Sequence, residues 1–254
     1  MTQRRWTWAA ARCLGAWHAD AGERLQDASV CFAPPSSPHV LVAAVSDGAG
    51  GASHGGQGAW LTCRTISLAA RRHFASSVRL PDETALAAWV GAARDRLCAA
   101  AAARQLTARD FAATLVLVIS SGRETLTVHV GDGAAVAREP SGAWNALSWP
   151  EHGEYAAMTY FVSDETPAHV RIGRHCQEIT ALALFSDGLE RLALNFGAQQ
   201  PHGPFFAGMV APVEASPVTG RERELSQRLA SFLGSAQVNN RTQDDKTLIL
   251  AARR

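Results

Sequence analysis

The chain is short of the features that mark most protein classes. No apolar run is long enough to span a bilayer. Charge of either sign is not in excess: 24 Lys and Arg stand against 23 Asp and Glu. The basic residues are scattered, with only short pairs such as Arg71-Arg72 and Arg253-Arg254. Nothing therefore points to nucleic acid or to an acidic membrane surface. The five cysteines, Cys13, Cys31, Cys63, Cys98 and Cys176, are odd in number and contain no C-x-x-C. They read as small buried hydrophobes in a reducing cytoplasm, and thiolate zinc is excluded by spacing. Only Cys98 has an arginine six residues on, Arg104, and the five residues between them are all alanine, a helical run rather than a glycine-bearing Cys-x5-Arg phosphate loop. The histidines form no H-E-x-x-H, and no G-x-S-x-G elbow occurs. Arg4-Arg5 and the apolar run after it faintly resemble an export signal. Arg12 ends that run too early, and no cleavage-like site follows.

What the chain does contain is a repeated junction. Three apolar strands run straight into an aspartate and a glycine: VLVAAVSDG at Asp47-Gly48, LTVHVGDG at Asp132-Gly133 and LALFSDG at Asp187-Gly188. Asp244-Asp245 precedes the strand-like KTLIL, and Asp27 precedes ASVCF. Carboxylates near a core are costly without a partner. The sequence has no matching cluster of Lys or Arg at strand ends. Hard divalent cations take oxygen ligands and suit such a nest.

Strand signals fall near 28–32, 40–46, 113–120, 124–131, 134–137, 159–163, 168–172, 181–186 and 246–251. Helical stripes cover 57–75, 82–104 with Asp82 as N-cap, and 221–234. Hairpin-like strand clusters and one-sided helices predict antiparallel sheets covered by helices. The segments 138–157 and 195–220 are poorly patterned. The first is a candidate flap over a site. With no linker or internal repeat, residues 1–254 read as one domain.

Each acidic junction has a plain explanation alone. Asp132 could be a hairpin turn, Asp187 a helix N-cap, Asp244-Asp245 a charged edge and Asp27 a turn residue. The glycine-rich loop from Asp47 to Gly58 lacks the G-K-[ST] ending of a P-loop, and Asp47 would repel a phosphate directly. A cation held by Asp47 reverses that sign. No plain explanation accounts for the set.

The ordered set Gln26-Asp27-Ala28, Ser46-Asp47-Gly48-Ala49-Gly50-Gly51, Ala113-Thr114-Leu115, Val130-Gly131-Asp132-Gly133, Phe185-Ser186-Asp187-Gly188 and Asp244-Asp245-Lys246-Thr247 resembles the metal-dependent serine/threonine protein phosphatases of type 2C. A bacterial branch is similar in two more places: the spacing of Gly15, His18, Gly22 and Gln26, and Pro150-x-x-Gly153-Glu154-Tyr155 ahead of Thr159-Tyr160-Phe161. The resemblance spans residue 13 onward.

It implies an α+β fold: a central antiparallel β-sandwich flanked by helices on both faces, in four layers (αββα). It implies two tight Mn²⁺ or Mg²⁺ ions. Asp47 would bridge them, the Gly48 carbonyl would be a ligand, and Asp187 and Asp244 would complete the centre. Asp27 belongs to the first motif and Asp132 to a third, weaker ion. A metal-activated water would hydrolyse a phosphoserine or phosphothreonine protein directly, with Asp47 and Asp27 as catalytic residues. Three positions depart from the family pattern. Gln26 replaces a frequent Glu, Gly22 a frequent phosphate-gripping arginine, and Ala49 a histidine of animal members. Arg24 is the candidate substitute for the missing arginine. Asp245 and the histidines His18 and His54 are candidates for supporting contacts. The implied partners are a cognate Ser/Thr kinase and a von Willebrand A-type protein, in the cytoplasm. Two alternatives are an inactive pseudophosphatase used as a binding module and a metal- or nucleotide-binding sensor.

Overall fold

A computed structural model describes residues 4–151, 159–164 and 169–254. The strands are β1 (Trp6–Cys13), β2 (Ala28–Phe32), β3 (Leu41–Ser46), β4 (Leu115–Ser120), β5 (Thr125–Val130), β6 (Ala134–Arg138), β7 (Trp144–Ser148), β8 (Arg171–His175), β9 (Ala181–Phe185), β10 (Leu194–Asn195), β11 (Gln200–Pro201), β12 (Gly220–Arg221) and β13 (Lys246–Arg253). The helices are α1 (Ala16–Asp20), α2 (Gly55–Ser76), α3 (Glu83–Ala102), α4 (Glu190–Ala193), α5 (Gly203–Ala215), α6 (Arg223–Leu233) and α7 (Ala236–Asn239). One sheet has the order β12-β1-β13-β9-β6-β7 and the other β2-β3-β4-β5-β8, while β10 and β11 pair apart. The long strands pair antiparallel, and the short β12 runs parallel to β1.

Side chains alternate across each strand, and both faces find cover. Leu41, Ala43 and Val45 of β3 meet Leu182, Leu184, Ile249 and Ala251 between the sheets. Their neighbours Val42 and Ala44 turn outward onto Ile66, Phe74 and Leu97 of α2 and α3. On the far side Phe185, Leu248 and Leu250 pack against Phe206, Val210 and Leu229 of α5 and α6. The four-layer αββα expectation holds. Covering both faces of a strand leaves no polar side, so these strands read as continuous apolar runs. Each fully buried Leu, Ile or Phe here contributes roughly 2 kcal/mol of transfer free energy.

Asp82 does cap α3, accepting a hydrogen bond from the Ala85 N–H at 2.8 Å. Other expectations need correcting. Trp6–Cys13, for which no strand signal was read, is β1; Trp6 and Trp8 enter the sandwich while Ala9 and Ala11 face the helices. Its alanines hid a period of two. The segment 195–220 holds α5, which Pro204 at its start and Pro212 inside it had disguised. Residues 159–163 form no strand. The Phe161 N–H bonds to Asp164 Oδ2 at 2.8 Å, and the chain turns there. The strand expected over 168–172 is β8, displaced toward its C-terminus. Of the candidate flap 138–157, Trp144–Ser148 is edge strand β7, and 152–158 lie outside the described residues. Cys63 is buried as expected, but Cys98 and Cys176 are exposed; all five cysteines are free. Among the described residues no helix is long and apolar enough to cross a membrane.

Gly58 sits inside α2, where alanine is normally the better helix former by about 1 kcal/mol. A Cβ there would lie 2.1 Å from the Phe111 carbonyl oxygen. Overpacking against backbone costs about 1–3 kcal/mol. Gly58→Ala should therefore destabilise the protein in urea titration, against its helix propensity. Equal or higher stability would show that α2 and the 108–111 turn are not in contact.

Candidate active site

The acidic junctions meet at one end of the sandwich. Asp47 follows β3, and its backbone is clamped by Thr114, whose Oγ1 accepts the Asp47 N–H at 3.0 Å. The Thr114 N–H in turn donates to the Asp47 carbonyl at 2.8 Å. Asp187 follows β9 and opens a 3-10 turn, Asp187–Leu189. Asp244 leads into β13. Asp132 lies between β5 and β6, which belong to different sheets. The plain alternative for V-G-D-G, a hairpin turn, gives way to a crossing from one sheet to the other. Gly131 at φ +91° and Gly133 at φ +80° make that crossing, a conformation open to glycine and costly for other residues.

Asp47, Gly48, Asp132, Asp187 and Asp244 line one cavity of about 520 Å³. Asp27 stands behind it, buried. Its Oδ2 accepts hydrogen bonds from Ser186 Oγ at 2.8 Å and Thr247 Oγ1 at 2.6 Å. These two hydroxyls tie the first motif to the fifth and the last.

The crowding shifts proton affinities upward. Burial pushes Asp27 to about 6, against hydrogen bonds from Thr247, Asp47 and Ser186 that pull the other way. Burial also raises Asp47 well above the carboxylate range, and the charges of Asp27 and Asp187 add to it. Asp187 is raised by burial and then by Asp132 and Asp244. Among the described residues no three His, Cys, Asp or Glu side chains form a ready-made ligand cage. Asp47 stands among Asp27, Asp187 and Asp132, and their charges raise its proton affinity further. A divalent cation would offset that repulsion.

The donor chemistry fits such a cation. Every lining donor from the motifs is an oxygen, as Mg²⁺ and Mn²⁺ require. Buried oxygens of Asp27 (Oδ1), Asp187 (Oδ1) and Gln26 (Oε1) lack a hydrogen-bond donor among the described residues. Gln26 Oε1 and the Gly48 carbonyl carbon both lie 2.9 Å from the point where a side chain on Gly55 would begin. The amide oxygen thus sits beside the glycine carbonyl that the sequence nominated.

Asp245 works as a staple. Its Oδ1 accepts the Gly15 N–H at 2.7 Å and its Oδ2 the Gln26 N–H at 2.6 Å. His18 Nδ1 lies 3.0 Å from Oδ1. Burial alone would lower the His18 pKa, but contact with Asp245 outweighs it and raises the value. Asp132 is steadied through His129. Arg171 Nη2 and Ser148 Oγ both reach His129 Nδ1. An arginine can only donate, so Nδ1 accepts and Nε2–H donates to the Asp132 carbonyl at 3.1 Å. Burial, with the Arg171 charge, lowers His129 to about 3 and keeps it neutral.

Arg24 is not brought to the Asp47 cavity; it lines a neighbouring one with His54 and Trp60. The guanidinium in the Asp47 cavity is Arg109. It sits on the 3-10 turn Ala108–Phe111, which is capped by Thr107 and Asp110. Ser53 Oγ donates to Asp110 Oδ1 at 2.8 Å, and the Ala49 N–H to the Ala112 carbonyl at 3.0 Å. These bonds fix Arg109 against the Gly-rich loop. Its place four residues before Ala113-Thr114-Leu115 was the available signal.

Comparison with known proteins now decides the family. The model of the protein phosphatase 2C family matches residues 14–234. The chain belongs to the protein phosphatase 2C family. It is 36% identical over 252 residues to "Serine/threonine-protein phosphatase 3" of Escherichia coli (strain K12), covering 97% of this chain and 98% of that protein. Among solved structures, the catalytic domain of the serine/threonine protein phosphatase PstP in complex with two manganese ions superposes with TM-score 0.67 at 16% identity, covering 98% of this chain and 99% of the other. PppA of Pseudomonas aeruginosa, described as a key regulatory component of T6SS, superposes with TM-score 0.62 at 18% identity, covering 98% of each chain. At such identities the two structures establish the fold. The protein phosphatase 2C family is metal-dependent, in agreement with the all-oxygen donor set.

Removing the staple should be costly. Asp245→Ala leaves the buried Gly15 N–H and the half-buried Gln26 N–H without acceptors, at about 1–3 kcal/mol for a buried one and less for the other. We expect a loss of roughly 3 kcal/mol in urea unfolding and weaker Mn²⁺ binding by calorimetry, since Asp27 follows Gln26. Unchanged stability would mean that water replaces both acceptor contacts.

Proposed function

We propose that this protein phosphatase 2C member hydrolyses phosphoserine and phosphothreonine in proteins through a dinuclear Mn²⁺ or Mg²⁺ centre. The observation that carries this reading is the shared cavity of Asp47, Asp132, Asp187 and Asp244, fed by loops from both sheets. Asp47, the Gly48 carbonyl, Asp187 and Asp244 would hold the two ions, with Gln26 Oε1 beside Gly48 and Asp27 behind Asp47. Asp132 is assigned to a third, weaker ion. Bound ions would supply a water of lowered pKa and neutralise charge on the phosphoryl oxygens.

The chain's own residues set the geometry. Thr114 fixes the backbone of Asp47. Ser186 and Thr247 orient Asp27. Thr159 Oγ1 donates to Asp132 Oδ2 at 2.7 Å and holds that carboxylate across the cavity. Arg109 makes no hydrogen bond or ion pair with a described residue, so its donors are available to a phosphoryl oxygen. It takes the role that Gly22 cannot play and for which Arg24 is misplaced. The enzyme would act opposite a serine/threonine kinase, and its five free cysteines suit a reducing, cytoplasmic setting. No described feature favours an inactive binding module.

Hydrolysis of p-nitrophenyl phosphate with Mn²⁺, Mg²⁺ or EDTA tests the reading. Turnover should require the metal, and Asp47→Asn should lower it by at least about 10²-fold. Because that change removes one of the crowded carboxylates, the melting temperature in EDTA should not fall. Near wild-type turnover at saturating Mn²⁺ would refute the assignment of Asp47.

Arg109→Ala addresses the phosphate grip. Bidentate guanidinium–phosphate contacts combine energy with orientation. If Arg109 holds ground and transition states alike, KM should rise about tenfold with kcat little changed. A larger KM effect from Arg24→Ala would return the role to the sequence's first candidate.

A further inference from the structure

The catalytic cavity does not end at Asp187 and Asp244. A second cavity of about 570 Å³ continues from it, sharing Trp17, Asp132, Thr159, Asp187 and Asp244. Its remaining wall carries two exposed arginines, Arg191 and Arg241. Neither side chain makes a hydrogen bond or ion pair with a described residue. The carboxylates on the same wall are otherwise engaged. Asp132, Asp187 and Asp244 are half-buried members of the metal site. Glu190 is buried, and its Oε1 accepts the Gly133 N–H at 2.7 Å. These four carboxylates outnumber the two arginines, but with divalent cations held by Asp132, Asp187 and Asp244 the exposed charges left over on this wall are Arg191 and Arg241.

Both arginines are placed by short, fixed stretches of chain. Arg191 lies one helical turn after Asp187, in α4. Arg241 lies three residues before Asp244, and its N–H donates to the Val238 carbonyl at 2.8 Å, ending α7. Trp17 stands where the two cavities join, 64% exposed. Its N–H donates to the Gln243 carbonyl at 3.1 Å, tying α1 to the stretch that bears Arg241. An exposed aromatic ring thus lines both the cavity of the reacting centre and that of the arginine pair.

We propose that this extension is a substrate subsite for acidic sequence, in which Arg191 and Arg241 receive Asp or Glu side chains flanking the phosphorylated residue while the peptide crosses Trp17. The proposal rests on the phosphatase reading above and names its substrate class. The chain's net charge of +1 gives no general attraction for acidic proteins, so selectivity must come from this local pair. Exposed charge pairs are individually weak. Two acting together are worth about tenfold in kcat/KM, and raising the salt to about 1 M, which shortens the Debye length to about 3 Å, would erase most of that.

The test compares two phosphothreonine peptides in Mn²⁺, one with aspartates and one with alanines on both sides of the phosphothreonine. The wild-type protein should cleave the acidic peptide about tenfold more efficiently. In Arg191→Glu/Arg241→Glu the ratio of the two efficiencies should fall to one or below. Because the readout is a ratio, a general loss of activity cannot imitate the result. Milder Arg191→Ala and Arg241→Ala variants should each give intermediate ratios. Equal efficiency on both peptides in the wild type, with p-nitrophenyl phosphate still hydrolysed, would overturn the subsite alone. So would a preference that survives double charge reversal. Failure of the wild type to hydrolyse even p-nitrophenyl phosphate would overturn the phosphatase reading and the subsite with it.

Discussion

Like charges held together at the end of a β-sandwich are the constraint on which the rest depends. Asp27, Asp47 and Asp187 share a region where burial already penalises each negative charge. A fold tolerates that arrangement only by protonating the carboxyls or by gathering cations. Much of the surrounding structure serves to prevent the third outcome, in which the loops spread apart. Thr114 clamps Asp47, Ser186 and Thr247 clamp Asp27, and Asp245 fastens the backbone of Gln26. Each clamp links motifs that are far apart in the chain.

The two-sheet architecture explains why these motifs come at strand ends. Antiparallel strands packed face to face bring their loops to the two ends of the sandwich. The loops after β3, β5 and β9 and before β13 lie at the same end. A residue placed first in any of them is held by a buried strand and faces a loop from the opposite sheet. The precision of a metal site would follow from a rigid core, while Arg191 and Arg241 lie farther out beyond β9 and before β13, and Arg109 lies on the turn before β4.

The acidic set was legible because its signal is local. An apolar strand ending in Asp-Gly can be seen without knowing what lies opposite. The helices α2, α3 and α6 were legible for the same reason, through spacing alone. β1 was not: Trp6-Thr7-Trp8-Ala9-Ala10-Ala11-Arg12 alternates faces, but alanines on the helix-facing side give no contrast. α5 was hidden by Pro204 and Pro212, which local propensity counts against a helix and tertiary packing of Phe206 and Val210 overrides. Arg24 was favoured over Arg109 by nearness in sequence to Gly22. Which arginine reaches the cleft is decided by the docking of the 108–111 turn on the Gly-rich loop, an event with no local signature. The clamps of Ser186, Thr247 and Asp245 were equally invisible one residue at a time.

The clamp on Asp27 also sets a timetable. Thr247 lies 220 residues after Asp27 along the chain, and β13 pairs with β1. During synthesis, β2, β3 and the helices that cover them can pack long before β13 emerges. The first motif cannot take its working shape until then. At about 5–20 residues per second, that interval is on the order of ten to forty seconds. A growing chain thus holds Asp27 without its Thr247 clamp until β13 has been made.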